Sequence, residues 1–309
     1  MENITSQRQT KEQIASWFNN LQNSICETIA RTDGKAKFET DSWTREGGGG
    51  GHTRILQNGH ILEKAGVGFS AVHGETPDNI LRALKLDKAD FFATGVSIVM
   101  HPHSPLVPII HMNVRYFEMT NGVWWFGGGI DLTPHYVVKE DATWFHQQLK
   151  QVCDKHNSEY YPKFKTWADD YFYIKHRQET RGIGGIFFDH LDDKTGEDKT
   201  GISFEQRLAF VQDIGMSFAP IYSHFMAKNS VLPYTEAEKA WQLIRRGRYT
   251  EFNLVYDKGT KFGLDTNGRT ESILMSLPPQ ANWLYNHIPQ PNSREEETLS
   301  LLKKGIQWA

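Results

Sequence analysis

From Phe92 the apolar residues of this chain fall on alternate positions for about forty residues, a period that suits a half-buried strand and defeats a helix. Val96, Ile98 and Met100 share one side, and Gly95, Ser97, Val99 and His101 share the other. A Pro-rich run, 102–108, ends this strand. Ile110, Met112, Val114 and Tyr116 then take one face of a second strand, while His111, Asn113 and Arg115 take the opposite one. Asn121-Gly122 is the dipeptide of a two-residue hairpin, so VWWF is expected to return as a third strand, which Gly127, Gly128 and Gly129 interrupt before IDLTP. The stretch reads as an antiparallel meander whose polar side carries an imidazole, an amide and a guanidinium.

Around it the period changes. Ile14, Trp17, Leu21, Ile25 and Ile29 predict an amphipathic helix over about 11–31. Phe145, Leu149, Val152 and Cys153 predict another over 139–156, and Phe164, Trp167, Ala168, Tyr171 and Ile174 a third after Pro162. RGIGGIFFD from Arg181 reads as a short buried strand, and DDKTGEDKTG as a solvated loop. Ser203 with Gln206, and Thr235 with Glu238, are capping boxes that open two further helices. Gly247 stands where a helix C-terminal glycine belongs. RYTEFNLVY, KFGLD and ESILMSL are expected to be strands, and a polar helix near 294–304 closes the chain. Gly47 to Gly51 precede no Lys-Ser or Lys-Thr pair, so they form no phosphate-binding loop; they suit a flexible turn better than a lid over a ligand. The sum is a single α+β domain over 1–309, an antiparallel sheet with helices packed on it.

The net charge of -3 excludes a nucleic-acid footprint and a polybasic membrane patch, and no run reaches the length of a membrane span. MENITSQRQTKEQIASWFNN has no apolar signal core, so a cytoplasmic protein is expected. Cys26 and Cys153 are too few for a disulfide framework and read as buried thiols.

Two kinds of chemistry fit the polar residues. His101 and His103 form an i, i+2 pair that His111, His146 and His176 could join around a metal, although His146 lies on the apolar face of its helix. Arg115, Arg177, Arg181 and Arg269 suit an anion better, since a guanidinium grips a carboxylate through two parallel hydrogen bonds. Asp131 follows three glycines that would let a flat ligand approach the backbone. A two-residue hairpin, however, pairs Asp131 with Met112 and aims it at the apolar side. For Asp131 to share a site with Arg115, the glycines would have to bulge or leave the sheet.

WWFGGGIDLTP, HPHSPLVPIIHMNVRYF, DDYFYIKHRQETRGIGGIFFD, and RRGRYTEFNLVYDKGTKFGL with TNGRTESILMSLPP, resemble in the same order the signature blocks of the oxygen-dependent coproporphyrinogen III oxidases. The resemblance runs from about Glu12 to the C-terminus. It implies a homodimeric α+β fold, a large antiparallel sheet flanked by α-helices on both faces, with the dimer contact at about 249–284. It also implies oxidative decarboxylation of two propionates of coproporphyrinogen III to vinyl groups, giving protoporphyrinogen IX, carbon dioxide and hydrogen peroxide in haem biosynthesis. Molecular oxygen is the co-substrate and no organic cofactor is implied.

Carried over position by position, the resemblance makes His111 the acid-base residue and puts Asp131 under the pyrrole N-H groups. Ser97, Asn113, Val114, Arg115, Arg181, Asn267, Gly268 and Arg269 become substrate contacts, with Arg181 at a propionate. His101, His111, His146 and His176 match positions that hold a divalent metal in bacterial relatives and none in others, and four neutral imidazoles suit manganese, zinc or iron only if they converge. His190 stands where many relatives have a second acid, Asn267 where a second small residue is common, and His103 and His135 fall at variable positions. Two other classes use the same residues: a histidine-ligated metal oxygenase or hydrolase, and a tetrapyrrole carrier with no activity.

Overall fold

The computed structural model describes residues 8–76, 78, 81–82, 85–193, 201–265 and 268–309. Seven strands form one antiparallel sheet: β1 (Glu39–Thr44), β2 (Gly49–Gln57), β3 (Leu62–Glu75), β4 (Asp90–Pro102), β5 (Ile109–Met119), β6 (Trp124–Thr133) and β9 (Gly185–Leu191), adjacent in that order. The short hairpin β7 (Tyr173–Ile174) and β8 (Glu179–Thr180) stands apart from it. The meander expected from the alternation is β4, β5 and β6.

One face of the sheet is apolar. Val67, Ile98, Met112, Val114 and Ile130 are fully buried there, against α1 (Lys11–Asp33), α2 (Lys139–His156), α3 (Tyr160–Tyr171) and α4 (Phe204–Asn229). Capping boxes at Thr10 and Ser203 open α1 and α4. Asp33, buried at the end of α1, accepts hydrogen bonds from the backbone N-H groups of His60, Ile61 and Leu62, each at 2.9 Å, and so ties the helix to the turn before β3. Cys26 and Cys153 are free and buried. The opposite face receives α5 (Glu236–Val255), α6 (Lys258–Asp265) and α7 (Thr270–Leu274); α8 (Arg294–Leu301) follows. His101 of β4 meets Tyr249 of α5 edge-on, and Met275 lies over Gly66 and Gly68. Helices therefore cover both faces, as expected.

The structure corrects several local readings. RYTEFNLVY, KFGLD and ESIL are helical: the first continues α5, and the others are α6 and α7. Tyr249, Phe252, Asn253 and Tyr256 recur at helical spacing. The buried Arg246 and Asn253 masked that apolar stripe, leaving the alternation of RYTEFNLVY more visible. Gly247 lies mid-helix; a Cβ there would stand 2.6 Å from the Asn282 carbonyl oxygen, so close packing against the Asn282-Trp283 segment requires glycine. Helix α3 stops at Tyr171, and Ile174 belongs to β7. Of the glycine run, Gly48 and Gly49 take positive φ where the β1-β2 turn enters β2, and Gly49, Gly50 and Gly51 already belong to that strand. Most of DDKTGEDKTG falls outside the described residues.

The connection between β5 and β6 matters most. Met119 N-H donates to the Val123 carbonyl at 2.7 Å, Gly122 N-H to the Met119 carbonyl at 3.0 Å, and Gly122 has φ 88°. This is a three-residue loop, 120–122, with glycine at its left-handed position. The extra residue moves the register by one, so Asp131 pairs with His111 and Met112 with Ile130. A slip of one residue exchanges the faces of a strand. Asp131 therefore lies with His111, Asn113 and Arg115, and the β5-β6 pairing needs no bulge at the glycines.

Candidate active site on the open face of the sheet

Two polar rows cross β5, β6 and the chain beyond them. In the first, His111 Nδ1 lies 2.9 Å from Asp131 Oδ1. Arg181 meets the same carboxylate through Nη2, at 2.7 Å from Oδ1 and 2.8 Å from Oδ2, and through Nε at 3.3 Å from Oδ2. The guanidinium is boxed by Phe172, Tyr249 and Phe252, with its carbon 4.4–4.7 Å from their ring centres, and Nη1 donates to Asn253 Oδ1 at 2.8 Å. Burial by itself would raise the Asp131 pKa, but Arg181 and His111 outweigh it and hold the group below the usual carboxylate range. Asp131 is thus an ionised carboxylate that fixes the His111 ring, leaving Nε2 as the other nitrogen.

The second row is more open. Arg115 Nη1 donates to Asn113 Oδ1 at 2.8 Å, and Nη2 lies 2.8 Å from Asp189 Oδ2 of β9. The Arg115 side chain is 35% exposed and that of Asp189 25%, against 2% for Arg181 and 1% for Asp131. This ion pair passes over Gly127, where a Cβ would stand 2.5 Å from Asp189 Oδ1. Glycine there clears the floor for the pair. Gly129 pairs with Phe187, whose ring stacks on Tyr171 at 4.1 Å and forms an aromatic side to the glycine floor.

The other expected substrate residues divide. Ser97 pairs with both Gly68 and Asn113, on the open face. Val114 sends its side chain into the core, as alternation requires, so only its backbone is near the polar row. Arg269 precedes α7 and pairs with Asp41 of β1, which lies in register with Thr53, Gly68, Ser97 and Asn113. That line places Asp41 four strand spacings, roughly 19 Å, from Asn113. Gly268 donates its N-H to the Gly263 carbonyl, and Asn267 lies outside the described residues. Arg181 stands inward at Asp131 and away from any rim, while Arg177 is on the surface with Glu251. Sequence reasoning missed Asp189, Asn253 and Asp41. Only Asp189 left a signal, because Phe187 and Asp189 alternate with the core residues Ile186 and Phe188.

The four histidines do not fit a shared metal ion. His101 Nε2 lies 2.8 Å from the Ser276 carbonyl oxygen. Its Nδ1 is buried without a hydrogen-bond partner, but burial and then the positive Arg246 depress its basicity. His146 uses both nitrogens, on Tyr161 and the Ile183 carbonyl, inside the core. His176 uses both on Tyr256 and Glu251 near the surface. Among the described residues no group of three or more His, Cys, Asp or Glu side chains is placed to hold a metal. Spacing could not reveal this, because the ligand-like residues come from separate elements.

The sequence profile of the family described as coproporphyrinogen III oxidase matches residues 13–308. The chain belongs to the coproporphyrinogen III oxidase family. It is 47% identical over 302 residues to coproporphyrinogen-III oxidase 1, chloroplastic, of Arabidopsis thaliana, a match covering 93% of this chain and 76% of the relative. The oxygen-dependent coproporphyrinogen-III oxidase, chloroplastic, of Glycine max gives the same identity and shares. The mitochondrial oxygen-dependent enzyme of Homo sapiens is 48% identical over 301 residues, 93% of this chain and 64% of the relative. These family members are named for chloroplast or mitochondrion, so the names do not bear out a cytoplasmic location. Among the described residues no helix is long and apolar enough to cross a membrane.

Proposed function

We infer that this chain is an oxygen-dependent coproporphyrinogen III oxidase, an oxidoreductase of haem biosynthesis, and that its site is the open face bearing His111 and Arg115. Each turnover converts one propionate to a vinyl group: the β-carbon gives up a hydride equivalent, the carboxylate leaves as carbon dioxide, and oxygen accepts the two electrons. With one added proton the oxygen product is hydrogen peroxide. Two such turnovers give protoporphyrinogen IX.

The observation that carries this reading is the pairing of a closed polar row with an open one. His111, backed by the ionised Asp131, is held in one orientation with Nε2 remaining to exchange the proton, the usual arrangement of a general acid-base imidazole. Arg115 uses one N-H on Asn113 and one on Asp189, which leaves guanidinium edge for a substrate carboxylate. Arg269, across the face, is a second cation for a propionate once Asp41 yields it. Ser97 and the glycines supply a floor small enough for a flat ring to approach. Arg181 acts through Asp131.

The homodimer is part of the same proposal. Leu254, Val255, Phe262, Leu264, Trp283 and Leu284 are exposed large apolar residues inside the expected 249–284 contact region, more than a solvated surface tends to concentrate.

Protoporphyrinogen formation measured with and without oxygen, alongside peroxide release, tests the reading. Turnover that stops without oxygen, with one peroxide per vinyl, is expected. Binding of coproporphyrinogen III with no oxygen uptake would leave a carrier instead.

A further inference from the structure

A bound porphyrinogen presents ring N-H groups as well as propionates, and those donors need an acceptor in the site. Asp131 cannot serve in the arrangement described. A carboxylate offers about four lone-pair positions, and Asp131 already accepts one hydrogen bond from His111 and three from Arg181. It is 1% exposed, and Phe172, Tyr249 and Phe252 enclose the arginine on its far side.

Asp189 differs on each count. It accepts from Arg115 Nη2 and from the backbone N-H of His190, and its side chain is 25% exposed on the face where Gly127 and Gly129 leave space. Phe187, two residues earlier on the same face, walls that space. Resting on the function proposed above, we propose that Asp189 is the carboxylate that accepts the pyrrole N-H groups of the substrate, beside Arg115, which takes a propionate. Asp189 is then a substrate-binding residue, and its fixed partner Arg115 keeps it from swinging away when the site is empty.

The chemistry supplies a selective test. Coproporphyrinogen III carries N-H on all its ring nitrogens, whereas the aromatic coproporphyrin III carries N-H on half of them and lone pairs on the rest. A carboxylate acceptor favours the first and repels the lone pairs of the second. Equilibrium binding of both tetrapyrroles, measured without oxygen, is compared for the intact protein, Asp189→Asn, Arg115→Gln and the double variant. Asp189→Asn is expected to reduce the preference for porphyrinogen by about tenfold or more, the scale of a hydrogen bond to a charged group. Arg115→Gln should weaken both ligands alike.

Unchanged discrimination in Asp189→Asn would overturn the proposal, as would disappearance of its effect in the Arg115→Gln background, since Asp189 would then act only by holding that arginine. Failure of the intact protein to bind coproporphyrinogen III would instead overturn the function it rests on.

Discussion

Arg181 Nη2 lies 2.7 Å from one oxygen of Asp131 and 2.8 Å from the other, and both side chains are sealed from solvent. Deleting one member of such a pair leaves a buried charge without compensation, at a cost of about 3–5 kcal/mol. Asp131→Asn and Arg181→Gln should therefore each lower stability in urea titrations, and the double variant should recover part of the loss. Activity should not recover with it: Asp131→Asn also releases His111, so kcat is expected to fall about a hundredfold or more in both backgrounds.

Gly127 and Gly129 look alike in sequence and should behave differently. A Cβ at Gly127 meets the ends of two side chains, Asp189 Oδ1 at 2.5 Å and Arg115 Nη2 at 2.8 Å. Gly127→Ala should open that ion pair, raising KM about tenfold while the melting temperature moves little, since exposed pairs contribute only about 1 kcal/mol or less. A Cβ at Gly129 meets the Ile186 backbone oxygen at 2.8 Å, which has no such freedom. Gly129→Ala should lower the melting temperature first.

Asp33 gives the fold an acid limit. Burial would raise its pKa, yet the backbone N-H groups of Leu62, His60, Ile61 and Ala36 lower it below the usual 3.8. A depressed carboxylate pKa contributes stability that is fully present above the unfolded value and is lost as the pH falls through the folded one. Melting curves of the intact protein and Asp33→Asn should be furthest apart near neutrality and converge below about pH 3.8.

The separation of His101, His111, His146 and His176 predicts that protein purified without a histidine tag holds well below one manganese, zinc or iron per chain. Oxygen-dependent turnover should survive chelation. Stoichiometric metal lost together with activity would contradict the arrangement of these side chains.

To test the proposed homodimer, Leu254→Glu with Val255→Glu places charge on two half-exposed apolar residues at the end of α5. Sedimentation is expected to find the intact chain as a dimer and the double variant as a monomer; an intact chain that sediments as a monomer, or a variant that stays dimeric, would contradict the proposed contact.

How much of this was legible beforehand depended on the range of the interaction. The alternation of β4 and β5 and the capping boxes at Ser203 and Thr235 are local signals, and the structure keeps all of them. The glycines of WWFGGGIDLTP were expected to interrupt the third strand, whereas β6 runs unbroken from Trp124 to Thr133, because pairing with β5 holds Gly127, Gly128 and Gly129 in register where their own propensity would not. Helix α5 was misread past Gly247 because its buried face carries Arg246 and Asn253, whose partners, Glu63 and Arg181, lie far away in sequence.

The sequence by itself determined the meander, the shared face of His111, Asn113 and Arg115, and the family, because each rests on residue order over a few positions or on long blocks in sequence. Tertiary structure decided the face of Asp131, through one extra residue in the 120–122 loop, because register passes a single local shift to every side chain of a strand. It also decided that Asp131 is spent on Arg181, that Asp189 stands beside Arg115, and that four histidines remain apart. Those are matters of convergence between distant segments, where hydrogen-bond partners are chosen by packing, and no spacing along the chain records them.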